Sequence, residues 1–274
     1  MTNLNWPAKH ILKSMAAESD EVSYVPVVSL YESDLVYAGT TFRGVTVADD
    51  SYSGFSLCHY VGDEASHWQQ CRAELASWLG ISEHNIIVPR QTHSARVAFI
   101  DDMPVDDRDI DGVDAVVTTL HGVAVGVNTA DCLPLLLCDE KAGVVCAVHA
   151  GWRGAVGGVV GNALDRMVLA GASPGDIHGF IAPHIGVCCF EVGEEVACQF
   201  HPDDVVYHQD GEKPHVNLSG AVTRILVSKG VPRENITDIG ECTRCRSDRY
   251  FSARARGVAS GRNFSFIIKQ ALKK

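Results

Sequence analysis

Apolar positions along this chain follow two rhythms: short continuous or alternating runs that predict strands, and a few segments recurring at three and four that predict helices. Residues 25–44, VPVVSLYESDLVYAGTTFRG, read as two short strands, the second ending at Thr41-Phe42-Arg43-Gly44. Residues 66–80, SHWQQCRAELASWLG, place Trp68, Cys71, Leu75, Trp78 and Leu79 on one helical face, with Gly80 as a left-handed stop. IIVPRQTHSARVAFI then predicts two strands joined through Gln91-Thr92-His93. The acidic run DDMPVDDRDIDGVD at 101–114 has no periodicity and reads as a solvated loop, a carboxylate metal loop being the sharper alternative; Asp114 leads into the strand AVVTT.

Residues 128–154, NTADCLPLLLCDEKAGVVCAVHAGWRG, are the centre of the pattern. Asp131 and Cys132 precede one apolar run, and a second run ends in His149 and a glycine-flanked Trp152-Arg153. A turn at Asp139-Glu140-Lys141 would fold the runs together, bringing a thiol and an imidazole seventeen positions apart to one end of a hairpin. Next, residues 155–171 predict one helix with Val156, Val159, Val160, Ala163, Leu164 and Met167 inward and Gly171 at its end. A strand, a Pro183-His184 turn and a short helix carrying Val192, Val196 and Phe200 follow, and Asn217 is placed to cap a helix with Leu218, Ala221, Val222, Ile225 and Leu226 inward. An Arg-dense loop leads to a last strand in which Phe264, Phe266 and Ile268 alternate with polar positions. Strands outnumber helices without alternating strictly with them, so the expected fold class is α+β, mixed sheets with helices packed outside, rather than a doubly wound sheet. Residues 1–25 are expected to be an irregular N-terminal arm and residues 26–274 a single catalytic domain.

Charge and composition narrow the partners. Against 34 acidic residues stand 23 basic ones, a net charge of −11, and no basic cluster is long enough to track a phosphate backbone, which argues against nucleic acid. No apolar run reaches the roughly 18 residues of a spanning helix and no secretory leader is evident, so the expectation is a cytoplasmic protein without a membrane partner. Ten irregularly spaced cysteines fit a reducing compartment, where thiols serve as ligands, nucleophiles or small hydrophobes.

His93, Cys132 and His149 each fall at the end of a strand-like run. Two imidazoles and a thiolate suit zinc, and three protein ligands leave the open position of a catalytic site, where a bound water becomes acidic near neutral pH. Spacing alone does not distinguish this from three unrelated residues. The glycine-flanked start at 151–154, with Arg153, is a candidate anion site; the alternative is that its glycines only allow close packing. Cys242-Thr243-Arg244-Cys245 is a lone CxxC, favoured as packed thiols, with Cys188-Cys189 as the pair that could complete a second zinc site. His184 is a candidate for lining a pocket, against the commoner hydrogen-bonded structural histidine.

The segments QTHSARV, NTADCLPLLLCD, AVHAGWRG, IAPHIGVCCFEVGEEV and CTRCRSDRYFSARARG, preceded by TTFRG and GFSLCHYVGDE, resemble the successive motifs of the multicopper polyphenol oxidase (laccase) domain family, whose YfiH-type members are regarded as purine nucleoside phosphorylases. The resemblance covers roughly residues 38–268. It implies metal ligands at His93, Cys132 and His149, and a four-layer α/β/β/α fold with mixed sheets, similar to YfiH-like cysteine hydrolases. It further implies phosphorolysis of adenosine, inosine and S-methyl-5'-thioadenosine, with adenosine deamination as a second activity. Where the family usually has a small apolar residue and a glycine around the His of QxH, this chain has Thr92 and Ser94; Leu57-Cys58 stands where a Leu-Asn pair is usual, and the closing FfSyRR pattern appears with one arginine displaced.

The resulting expectation is a zinc enzyme, copper being the alternative cofactor. Purine nucleosides and inorganic phosphate are its partners, and the chain is a monomer or homodimer. Cys132, His149 and Asp131 are the expected catalytic residues, Asp131 as the deamination acid/base, and Arg43, Arg153 and His184 the substrate or phosphate contacts. A copper polyphenol oxidase, a cysteine hydrolase or deamidase using Cys132 and His149, and a non-catalytic metal-binding partner protein are the alternatives.

Overall fold

The structure, a computed structural model, describes residues 25–207 and 211–270. The arm expected over residues 1–25 falls, Val25 aside, outside the described residues. In chain order the elements are β1 (Val27–Glu32), β2 (Val36–Thr41), α1 (Ala65–Leu79), β3 (Ile86–Ile87), β4 (Val97–Ile100), β5 (Ala115–Thr118), β6 (Ala124–Thr129), β7 (Leu133–Asp139) and β8 (Val144–Ala150). There follow α2 (Trp152–Val156), α3 (Val159–Leu169), β9 (His178–Ile181), α4 (Glu194–Ala197), β10 (Val205–Val206), β11 (His215–Val216), α5 (Leu218–Ser228), β12 (Ile236–Asp238), α6 (Ala253–Arg256) and β13 (Asn263–Lys269).

Two mixed sheets carry the fold. One has the order β1-β2-β13-β6-β3 and the other β12-β9-β7-β8-β5-β4. Most neighbours are antiparallel, while β3/β6, β4/β5 and β9/β12 are parallel. The chain crosses between sheets at the β3–β4 connection, which holds Gln91-Thr92-His93, and again between β6 and β7, which holds Asp131-Cys132.

Among the described residues, three apolar cores separate four layers. Leu75 and Cys71 of α1 pack with Phe264, Phe266 and Ile268 on one face of the first sheet. Val36, Val125, Val127 and Ile267 from its other face meet Leu136, Val145, Ala147 and Phe180 of the second. Leu133, Leu135, Leu137, Cys146 and Val148 then pack against Val160, Leu164 and Met167 of α3 and Leu218, Val222 and Leu226 of α5. The strands of β7 and β8 are thus buried on both faces, which is why they read as continuous apolar runs rather than alternating ones. The mixed sheets and outside helices agree with the fold expected from the sequence.

Local endings follow the sequence at several points. Gly80 caps α1 at φ 67°, donating its N–H to carbonyls of the last turn, and the Asn217 side chain accepts from Gly220 N at 3.0 Å to cap α5. Others differ. The single helix expected over 155–171 is two, because Gly157-Gly158 interrupts it with Gly158 at φ 93°; Val156 lies before the break and is 40% exposed instead of inward. Trp78 is 45% exposed, its ring lying T-shaped to that of Tyr37 with centroids 5.6 Å apart. In β13 the intervening Ser265 is as buried as the aromatics, because both faces of its sheet are covered; its hydroxyl pairs with Thr40 at 2.9 Å. Among the described residues no helix is long and apolar enough to cross a membrane.

Candidate active site

Strand register assembles the site. His149 on β8 pairs with Pro134 of β7 on one side, and Leu133 with Ala150, so Cys132 arrives at the same end of the hairpin. On the other edge Ala115 of β5 pairs with Val148, which sets Asp114 beside His149; His149 N donates to Asp114 O at 2.8 Å. His93 comes from the β3–β4 crossover. His93 and Asp131 have φ of 60° and 87°, the left-handed region that costs a side-chain-bearing residue about 1–2 kcal/mol.

Asp114 offsets that cost at His93. Its carboxylate accepts the successive backbone N–H groups of Thr92, His93 and Ser94 at 3.2, 3.0 and 2.7 Å, and the Ser94 hydroxyl at 2.7 Å. The same carboxylate receives His149 Nδ1 at 2.7 Å. Ser94, one of the positions that depart from the resembled motif, is therefore part of the support. Gln91 clamps the other side, exchanging two hydrogen bonds with the backbone of Asn128 at 2.7 and 2.8 Å.

The ligand atoms of His93, Cys132 and His149 all lie within 4.8 Å of one another, with Cys132 Sγ 3.6 Å from His93 Nε2. His149 is buried, Cys132 half-buried and His93 exposed, so the group opens to solvent on the His93 side. A Cβ added to Gly151 would stand 2.8 Å from His93 Cδ2 and 3.0 Å from Cys132 Sγ. Glycine is required there for space between the ligands, since its backbone is otherwise ordinary (φ −63°).

The electrostatics suit a cation. Burial alone would raise the Asp114 carboxyl, but hydrogen bonds from His149 and Ser94 outweigh it and hold it at about 2. Burial would likewise raise the Cys132 thiol, yet the charge and hydrogen bond of His149 and the neighbouring His93 bring it down to about 6. His149 is raised to about 9, the desolvation that opposes its charge being overcome by Cys132 and Asp114. Near neutral pH the metal-free pair is thus a thiolate beside an oriented imidazolium, whose Nε2 proton a binding cation displaces. Three N/S donors, an outer carboxylate that fixes the Nδ1 tautomer and a glycine that leaves room match a three-ligand zinc-type site with an open position.

The remaining expected site residues lie differently. Both carboxylate oxygens of Asp131 are engaged, Oδ1 by the Thr243 hydroxyl and Oδ2 by Arg254 N, each at 2.6 Å. Ile185 N donates to Asp131 O at 2.9 Å, so the loops after β9 and β12 and the start of α6 converge on this residue next to Cys132. Arg153 is exposed at the start of α2, its guanidinium 4.4 Å from the centre of the Trp152 ring. Arg43 is buried, bonding the carbonyls of Ser247 and Ser53 at 3.3 and 3.5 Å and lying over Phe251; among the described residues it makes no hydrogen bond to the triplet. His184 is buried with Nδ1 3.0 Å from Ala182 O, and desolvation lowers its pKa, so it is neutral at pH 7. The CxxC at 242–245 meets Cys188-Cys189, the four sulfurs lying within 4.8 Å of one another.

Residues 37–270 match the family described as multi-copper polyphenol oxidoreductase laccase. The chain belongs to that family. A family relative called Adenosine deaminase RL5, from an unknown prokaryotic organism, is 41% identical over 86% of this chain and 94% of its own length. A protein called purine nucleoside phosphorylase from Bacteroides thetaiotaomicron is 32% identical over 86% of this chain and 92% of its own. In fold, the chain is similar to the crystal structure of a Bacillus licheniformis hypothetical protein YfiH, with a TM-score of 0.82, 24% identity and coverage of 91% and 98% of the two chains. YlmD from Geobacillus stearothermophilus superposes with a TM-score of 0.77 at 26% identity, covering 86% and 92%.

Sequence reasoning missed Asp114 as a site residue, along with the packing role of Gly151. The signal for Asp114 was its place at the end of an acidic run, directly against an apolar strand. A carboxylate carried into a buried strand needs partners, and a ligating histidine needs an acceptor for its other ring N–H.

Proposed function

We propose that this member of the laccase-domain family is a zinc-dependent enzyme of purine nucleosides. It carries out phosphorolysis of adenosine, inosine and S-methyl-5'-thioadenosine and, as a second activity, deamination of adenosine. The observation that carries the reading is the convergence of His93, Cys132 and His149 with Asp114 behind them. The relatives named for adenosine deamination and purine nucleoside phosphorolysis align over most of both chains and supply the substrate class.

Zinc, when bound, supplies a Lewis acid that makes water reactive at neutral pH. The chain's own residues do the rest. Asp114 accepts a hydrogen bond from His149 Nδ1–H, which leaves Nε2 as the nitrogen that would coordinate once metal binding displaces its proton, and Cys132 contributes a thiolate. Arg153, exposed two residues beyond Gly151, attracts inorganic phosphate and holds it for attack at C1′ of the ribose as the glycosidic bond loosens. Asp131 positions the Thr243 loop and the start of α6, each of its oxygens accepting one hydrogen bond from them.

One further reading has a specific observation in its favour. Cys132 at about 6, His149 at about 9 and Asp114 at hydrogen-bond distance also form a Cys-His-Asp arrangement, the geometry of a cysteine hydrolase. For a copper polyphenol oxidase the residues are less suitable: among the described residues a single His2Cys group is present, where multicopper chemistry needs many imidazoles.

The deciding experiment assays adenosine, inosine and S-methyl-5'-thioadenosine with and without phosphate, separates base and sugar products, and repeats the assay after chelation. Phosphate-dependent release of free base and ribose 1-phosphate, lost on chelation and restored by zinc, is the expected result. Turnover that is indifferent to chelators but abolished by alkylating Cys132 would establish the hydrolase reading instead.

A further inference from the structure

A second cluster of donors lies on the loops that Asp131 ties together. Cys188 and Cys189 follow β9, Cys242 and Cys245 follow β12, and their four sulfurs fall within 4.8 Å of one another. Cys189 Sγ is 3.4 Å and Cys188 Sγ 3.7 Å from Cys245 Sγ. With metal–sulfur bonds of about 2.3 Å, the sulfurs of a tetrahedral tetrathiolate stand about 3.8 Å apart, so this cluster is near the required size before any ion is added. We infer that Cys188, Cys189, Cys242 and Cys245 form a second metal site, a tetrathiolate for one zinc-type divalent ion, and that it clamps the loop after β9 to the loop after β12.

Three features of the surroundings support this. Gly186 N donates to Cys242 Sγ at 3.2 Å and Arg244 Nη1 to Cys189 Sγ at 3.4 Å, the N–H···S contacts that stabilise thiolates. A Cβ on Gly186 would lie 3.2 Å from Cys242 Cβ and 3.3 Å from Cys188 Sγ, so the glycine keeps open the space that the sulfurs share. Backbone pairing already sets the loops side by side, with His184 N donating to Glu241 O at 3.3 Å and Thr243 N to His184 O at 3.0 Å. Binding releases the thiol protons to solvent; four thiolates and one dication leave two negative charges, which Arg244 partly offsets.

The site has a consequence for the first one. Thr243 lies inside the CxxC, and its hydroxyl holds Asp131 Oδ1, the residue preceding Cys132. Pinning Cys242 and Cys245 therefore pins Thr243, and through Asp131 the backbone that presents Cys132. The four cysteines are structural ligands with no open coordination position and act on catalysis by positioning.

The test measures zinc per chain in full-length protein reconstituted with zinc under reductant and then desalted, comparing wild type, Cys132→Ala and the double variant Cys188→Ser/Cys245→Ser. Two equivalents are expected in wild type, one in Cys132→Ala and one in the double variant. If the first site takes no zinc, wild type and Cys132→Ala will both hold one equivalent that the double variant loses, so failure there leaves this inference standing. Cobalt supplies an independent readout: Cys132→Ala should show the intense near-ultraviolet charge transfer of an all-thiolate tetrahedral site, whether or not the double variant folds. No zinc or cobalt retained by Cys132→Ala, wild-type metal content in the double variant, or recovery of Cys189 and Cys245 as a disulfide from reductant-treated protein would overturn it.

Discussion

The Asp114 carboxylate meets His149 Nδ1 at 2.7 Å with both side chains buried, and the same carboxylate collects three backbone N–H groups from the turn that carries His93. One side chain therefore orients two of the three candidate ligands. Asp114→Asn keeps the size and one carbonyl acceptor but removes the charge and the tautomer control. Metal affinity, measured by competition with a chromogenic chelator, should fall by about 10–100-fold. Unchanged affinity would show that the carboxylate serves the fold alone.

Gly151→Ala places a methyl group 2.8 Å from His93 and 3.0 Å from the Cys132 sulfur, inside the volume that the ligands share. Its φ is one that alanine adopts freely, so the penalty is one of packing at the site. Overpacking of this kind costs about 1–3 kcal/mol, roughly fivefold to 150-fold in affinity. Metal binding should weaken by that amount while the melting temperature of the metal-free protein moves only a few degrees. A large loss of metal-free stability with affinity intact would reverse the assignment.

The thiols should separate by pH. In metal-free protein Cys132 is depressed to about 6, so it is a thiolate at neutral pH, and its alkylation by iodoacetamide should fall about tenfold per pH unit only as the pH drops below that value. Burial pushes Cys58 and Cys71 up to about 11, and both should stay unmodified near pH 8 while the fold is intact. Zinc should protect Cys132. Peptide mapping by mass spectrometry reads all three sites, and labelling of Cys132 at the same rate with and without zinc would remove it from the ligand set.

Arg153 offers an exposed guanidinium at the start of α2, supported by the Trp152 ring, where phosphate would be held. Arg153→Ala should lower phosphorolysis by about a hundredfold, the usual loss for one charge-assisted contact, with zinc content unchanged. Deamination consumes water and should survive better. Equal loss of both activities, with metal and fold intact, would make Arg153 a general substrate contact.

Much of the scaffold follows from local pattern. The hairpin of β7 and β8, the α1 stop at Gly80 and the Asn217 cap arise from short-range chemistry, apolar period, left-handed glycine and side-chain acceptor, so each is visible within a few residues. The hairpin also made the approach of Cys132 to His149 legible, because a turn at 139–141 fixes which ends meet. Where neighbours in space decide, pattern falls short. The Gly157-Gly158 break is hidden inside an unbroken apolar face, and Trp78, on the apolar face of α1 by spacing, is 45% exposed with its ring against Tyr37.

The chain by itself determined the donor types, the strand ends that carry them and the family motifs around them. Their convergence was decided by tertiary structure. His93 reaches Cys132 through a crossover from one sheet to the other, and Asp114 reaches His149 through β5–β8 register, contacts separated by 39 and 35 residues. The meeting of Cys188-Cys189 with Cys242 and Cys245 likewise depends on the parallel pairing of β9 with β12, which sends both following loops out of the same end of the sheet. Residue type and local period are properties of neighbours along the chain, whereas ligand geometry depends on strand order and register, which only burial of both sheets in one packed core selects.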